Sequence, residues 1–198
     1  ILEVARAGGA HCAMPTASTV RNVVFLRPLG LDPGERRDLE LSLQSRSDRW
    51  SFELWSVPEG YEKDRHLHAQ GELVRTSGGP PGKLDVSAIL ARCARTESAE
   101  RCYADFDKVG LNYGPAFRAI RELRFGDGEA VARLSLPDAL RQQEHRFVLH
   151  PSLLDGALQA IAGLLMTANG SGSRLYVPYS LMELEQYGAV GAEVIAHV

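Results

Sequence analysis

HPSLLDGALQAIAGLLM, residues 150–166, decides the reading of this chain, because it is an apolar helix that carries a carboxyl and an amide. The pattern predicts a helix over about 151–168. Pro151 suits the first turn, where its missing N–H has no helical acceptor to lose. Leu154, Ala157, Leu158, Ile161 and Leu165 recur at i, i+3, i+4 spacing and are expected to face the core. Asn169 and Gly170 make a suitable C-terminal stop. Asp155, Gln159, Ala162 and Met166 form the neighbouring stripe, so Asp155 and Gln159 lie one turn apart.

Two effects compete at Asp155. The helix N-terminus favours its charged form, and burial among apolar groups favours the neutral one. A carboxyl kept protonated toward neutral pH is a general acid, and Gln159 is placed to hold it by a hydrogen bond. Gly156 inside the helix costs about 1 kcal/mol relative to alanine, which close packing or binding at that point would justify. The bland alternative is an Asp155 that serves only the helix start, beside a solvated Gln159.

Outward from this helix, period-2 patterns dominate. LELSL sets Leu39, Leu41 and Leu43 on one face, and WSFEL does the same with Trp50, Phe52 and Leu54. HLHAQGEL opposes Leu67, Ala69 and Leu73 to His66, His68, Gln70 and Glu72. EAVARLSLPD aligns Ala130, Ala132, Leu134 and Leu136, after a hairpin turn at Gly126-Asp127-Gly128. Such alternation predicts antiparallel sheet with one buried face. A short N-terminal helix over 1–7 is expected to stop at Gly8 and Gly9. Two short helices are expected near 85–94 and 97–107, and last strands within RLYVPYSLMELEQYG and AEVIAHV. TSGGPPGK, from Thr76, is the clearest linker. The layer pattern is α+β, one long helix against antiparallel sheet, occurring twice. The expected division is 1–95, including a linker at 76–84, and 96–198.

Composition excludes little beyond the extremes. The chain has 198 residues, 44% hydrophobic, with formal net charge −3. Mild acidity gives no reason to expect nucleic acid or an anionic membrane as partner, and no apolar run reaches membrane-spanning length. Cys12, Cys93 and Cys102 lack metal or disulfide-framework spacing and fit a reducing cytoplasm. Asp105 and Asp107 lack the remaining ligands of a calcium loop. No metal site is expected.

Three segments carry a resemblance to the dehydratase domains of modular polyketide synthases. LHPSLLDGALQ is similar to that family's Leu-His-Pro segment and its Asp-x-x-x-Gln helix, matched by Asp155 and Gln159. GLNYGPAFR is similar to its Tyr-Gly-Pro motif, matched by Tyr113, Gly114 and Pro115. VRNVVFLRPL and VPYSLMELEQYG follow the family style in the same order. The resemblance implies a double hotdog, two long helices each wrapped by antiparallel sheet, here truncated at both ends. It implies dehydration of a β-hydroxyacyl thioester to an α,β-unsaturated acyl chain, with Asp155 as acid and Gln159 as its positioning partner. Tyr113, Gly114, Pro115 and His150 would line the substrate pocket, His150 also ordering the turn before the helix. The substrate would arrive on the phosphopantetheine arm of an acyl carrier protein, with no metal or organic cofactor. Neighbouring synthase domains and a second copy of the chain are the other expected partners, in the cytoplasm.

The family's catalytic histidine lies in a His-x-x-x-Gly-x-x-x-x-Pro motif that these residues do not contain. His11, His66, His68, His145, His150 and His197 are each expected to be structural or solvated. The base is therefore expected outside this chain, and the chain alone is expected to be inactive. The alternative is a non-catalytic, scaffold or double-bond-shifting domain of the same fold. A free-standing hotdog thioesterase or hydratase is a weaker reading.

Overall fold

The computed structural model describes residues 1–12, 18–57, 65–168 and 177–198. It divides into two compact units, Ile1–Pro80 with Pro178–Gly188, and Pro81–Val177 with Ala189–Val198. The sequence reading put the boundary at 95/96; the chain changes unit at Pro80/Pro81 instead. The short elements after the linker explain the difference, because they pack on the second unit's sheet. The segment 178–188 also returns to the first unit, which a boundary drawn once along the chain misses.

In the first unit, helix α1 (Leu2–His11) packs on a five-stranded antiparallel sheet. Its strands are β1 (Ser18–Phe25), β2 (Asp38–Arg46), β3 (Arg49–Val57), β4 (His66–Arg75) and β8 (Ser180–Leu184), in the order β2-β3-β4-β1-β8. Register aligns the apolar face: Leu43 opposes Phe52, Leu41 opposes Leu54, and Leu54 opposes Ala69. Phe52, Leu54, Ala69 and Leu73 are buried as the alternation predicts. Leu39 is the exception at 46% exposed, since it lies near the start of an edge strand.

Two local expectations are corrected here. Helix α1 does not stop at Gly8 and Gly9 but continues to His11. A Cβ at Gly8 would stand 2.2 Å from Leu41 Cδ2, so this glycine lets the helix approach the sheet rather than ending it. His68 is buried rather than on the polar face. A register shift between Leu54 and Trp55 breaks the period-2 rule there. His68 Nε2 lies 2.7 Å from Ser56 Oγ, and its Nδ1 lies 3.1 Å from the Arg27 carbonyl oxygen.

In the second unit, β5 (Arg95–Ser98), β6 (Ile120–Phe125), β7 (Ala130–Ser135) and β9 (Glu193–His197) form an antiparallel sheet in that order. Helix α2 (Val86–Arg92) begins at Asp85, whose side chain accepts from Ala88 N at 3.0 Å. Helix α3 (Ala99–Lys108) begins at Ser98, which accepts from Arg101 N. Helix α4 (Pro151–Ala168) has the predicted span and packs on β6, β7 and β9. The core joins Phe106, Ile120, Leu123, Ala130, Ala132, Leu134, Leu136 and Leu153. The expected stop at Asn169 and Gly170 lies outside the described residues.

The buried face of α4 is not the one the large apolar residues mark. Leu153, Gly156, Ala160 and Gly163 are buried, whereas Ile161 is 40% exposed and Leu154, Ala157, Leu158 and Leu165 are only partly covered. Small residues let the helix axis close on the sheet. A Cβ at Gly156 would lie 3.2 Å from Ala119 Cβ, and one at Gly163 would lie 2.8 Å from Leu123 Cδ2. That contact accounts for a glycine inside a helix. It also turns Gln159, one position away from Ala160, into the core.

Candidate active site

The site is built on α4 and the turn that faces it. Gln159 is 2% exposed. Its Nε2 donates to Asp155 Oδ2 at 2.7 Å and to the Phe117 carbonyl at 2.9 Å. Its Oε1 accepts from the Tyr103 hydroxyl at 3.1 Å. The Tyr103 oxygen accepts in turn from Ile120 N at 3.0 Å. The solvated Gln159 of the bland reading is thereby excluded.

Asp155 is partly buried. Burial pushes its carboxyl above the ordinary value, and the Gln159 hydrogen bond pulls part of the way back. No cation pairs with it among the described residues. A carboxyl in this setting keeps its proton to higher pH than a surface aspartate does.

Tyr113, Gly114 and Pro115 lead into a 3-10 turn at Pro115–Phe117. Gly114 is extended, at φ −70° and ψ 164°, as a residue before proline should be. Two bonds from α4 fix this turn: Ser152 Oγ donates to the Ala116 carbonyl at 2.6 Å, and Gln159 Nε2 donates to that of Phe117. The Tyr113 ring meets Phe106 and Tyr103 edge-on at centroid distances of 5.5 and 6.1 Å. Its phenol is pushed up to about 12, first by burial and then by the Asp155 charge. Asp155, Gln159 and Tyr113 therefore belong to one neighbourhood. His150 is buried at the start of α4, where Nδ1 accepts from Ser152 N at 3.2 Å and the ring stands 4.8 Å from that of Phe147. These contacts hold it at the helix entry.

The other histidines are engaged or exposed elsewhere. His66 meets Arg27, His197 pairs with Glu129 at 2.9 Å, and His11 and His145 are exposed. Asp105 pairs with Arg101 and Lys108, and no group of three metal-ligating side chains occurs among the described residues. A groove of about 370 Å³ in the first unit, lined by Ser42, Ser51, Glu53 and Gln70, contains none of the site residues. No single described helix is long and apolar enough to cross a membrane.

Tyr103 is the residue that sequence reasoning missed. Within RCYADFDKV it is one aromatic on an amphipathic helix, and its hydroxyl acquires meaning only through a partner 56 positions away.

An antiparallel sheet packed on a central helix that bears a buried amide and a half-buried carboxyl defines a hotdog-fold protein with an acid-bearing helix. Residues 81–198 match the family described as "Polyketide synthase dehydratase N-terminal domain", and the chain belongs to the polyketide synthase dehydratase family. It is 37% identical over 168 residues to polyketide synthase PksN of Bacillus subtilis, covering 84% of this chain and 3% of that one. It is 32% identical over 204 residues to polyketide synthase ThaG of Burkholderia thailandensis, again spanning only 3% of its length. Among solved structures, a trans-AT PKS dehydratase domain from Brevibacillus brevis superposes with TM-score 0.86 at 31% identity, covering 98% of this chain and 70% of that one. The inactive histidine-to-phenylalanine mutant of the CurK dehydratase gives TM-score 0.89 at 25% identity, covering 99% and 70%. These neighbours establish the double hotdog fold for the chain.

Proposed function

We propose that this domain removes water from a β-hydroxyacyl thioester, presented on the phosphopantetheine arm of an acyl carrier protein, during polyketide assembly. The half-buried carboxyl of Asp155, held by a neutral amide and free of any paired cation among the described residues, carries this reading. Base and acid act across one carbon–carbon bond. A base takes the proton from the α-carbon, and that electron pair forms the Cα=Cβ double bond. The Cβ–O bond breaks, and the hydroxyl leaves as water with the proton that Asp155 donates. Asp155 becomes a carboxylate, which the Gln159 N–H stabilises.

The base in this reading is a histidine outside residues 1–198. The inactivity of the CurK dehydratase whose histidine is replaced supports a histidine requirement in a relative. Tyr113 and the Gly114-Pro115 turn would border the acyl chain beside the acid. The reading requires no metal or organic cofactor. Partners are the carrier protein, neighbouring synthase domains and a second copy of the chain, in the cytoplasm.

The test follows the acyl group on a carrier protein by mass, with the domain as it occurs in its synthase. The wild type should remove the mass of one water, and Asp155→Asn should not. Undiminished loss in Asp155→Asn would remove Asp155 as the acid. Absence of loss in the wild type would favour a scaffold role. The 198-residue chain alone is expected to show no turnover.

A further inference from the structure

The polar chain behind Asp155 has no freedom of direction, and its ends explain why. At one end is Ile120 N–H, which only donates; at the other is the Phe117 carbonyl, which only accepts. The Tyr103 oxygen takes the Ile120 N–H, so its own proton goes to Gln159 Oε1. With Oε1 engaged, the amide must turn Nε2 toward Phe117 O and Asp155 Oδ2. Asp155 Oδ2 therefore always receives a hydrogen bond, and Oδ1 is left as the oxygen that carries the transferable proton.

The geometry points to Tyr103 as a positioning residue for the acid: its hydroxyl locks the Gln159 amide and so fixes which oxygen of Asp155 holds the proton. This inference rests on the proposed role of Asp155. Among the described residues the Tyr103 hydroxyl bonds Gln159 and Ile120 N but not Asp155, so it acts through Gln159. Tyr103 is 5% exposed and its ring is fixed by Phe106 and Tyr113, which leaves little room for the bond to wander. Arg118 lies 5.1 Å over the Tyr103 ring, and Cys102, Arg118 and Arg121 act on its hydroxyl electrostatically. Burial raises the phenol's pKa, which keeps the donor protonated throughout the working range. The titratable groups set against the triad are thus Cys102, Tyr113, Arg118 and Arg121, and within the triad burial pushes the Asp155 carboxyl up from its ordinary value.

The lock has a predicted sign. The Gln159 N–H stabilises ionised Asp155, so a weaker lock should raise the Asp155 pKa and a stronger one should lower it. Tyr103→Phe removes the donor. Replacing Tyr103 by 3-fluorotyrosine, nearly isosteric and a stronger donor, polarises the amide further. The experiment is a carbon-13 NMR titration of the Asp155 carboxyl in the chain, alongside dehydration by the same variants in the synthase. Tyr103→Phe should move the titration upward and lower kcat roughly tenfold or more with KM little changed. The fluorinated form should move the titration downward and stay folded even if the Phe variant does not. In a Gln159→Leu background neither change should move Asp155 further. An Asp155 titration that ignores both Tyr103 changes, or that shifts equally without Gln159, overturns the inference. Titration shifts of the predicted sign without dehydration by the wild type would sustain the lock and remove the catalytic reading beneath it.

Discussion

Each unit places a part-buried carboxyl on its central helix, and the two are handled in opposite ways. Glu3 on α1 faces Arg6 in a two-pronged pair, with Nε 2.7 Å and the terminal nitrogen 2.6 Å from the two carboxylate oxygens. Both side chains are mostly buried, at 9% and 13% exposure. Asp155 on α4 has Gln159, among the described residues a neutral donor to one oxygen only. A guanidinium fork meets both oxygens of a carboxylate with charged donors. A single amide leaves one oxygen open and lets burial raise the pKa. The first arrangement suits structure, and the second suits proton donation.

The comparison can be broken at several points. The largest effect belongs to Asp155→Asn, which should lower the dehydration rate by roughly 100-fold or more in single-turnover assays, while chemical denaturation shows a folded protein. The asparagine keeps an acceptor for Gln159 and loses only the proton. Next is Arg6→Gln, which gives Glu3 an Asp155-like partner. The amide cannot replace the two-pronged ion pair, and urea unfolding should show a loss of about 1–3 kcal/mol.

The two helices also approach their sheets through glycine, and here too they differ. Leu41, which an added Cβ at Gly8 would strike, is half-buried and can swing aside. Leu123, opposite Gly163, is 1% exposed and cannot. Gly163→Ala should cost about 1–3 kcal/mol and Gly8→Ala distinctly less, in the same unfolding experiment.

The smallest effect is the pH dependence of stability. The native pKa of Asp155 lies above its unfolded value. The native state therefore holds more protons between the two, and its stability falls as pH rises through that window. The contribution is fully present below the unfolded carboxyl value of about 3.9 and is lost above the native pKa. Asp155→Asn, which does not titrate, should gain stability relative to wild type across that interval and hold the gain at neutral pH. Paired denaturation curves at acidic and neutral pH measure it.

These contrasts also show what the sequence can and cannot reveal. Alternation located β3, where Phe52, Leu54 and Ser56 are buried between partly covered neighbours, and Pro151 marked the start of α4; in β7 the second face is covered too, with Val131 packed against Ile89 and Cys93. The rule for helices failed on α4 because it weighs apolar bulk. The closest contact with the sheet needs the least bulk, so Gly156, Ala160 and Gly163 took the inner face. Gly8 misled for a related reason: a glycine chosen for approach looks like one chosen to end a helix. Asp155 and Gln159 were legible as neighbours, since their spacing is local. Tyr103, Ser152 and the Phe117 carbonyl were not, because their bonds join α3, α4 and a turn far apart in the chain.

Proton donation at this site depends on the ionisation of one carboxyl that no cation pairs with among the described residues. A carbon-13 titration of Asp155 in the wild-type chain tests it directly, with Asp155→Asn to assign the resonance. The midpoint is predicted above the roughly 3.9 of a free aspartate. A midpoint at or below that value would contradict the account.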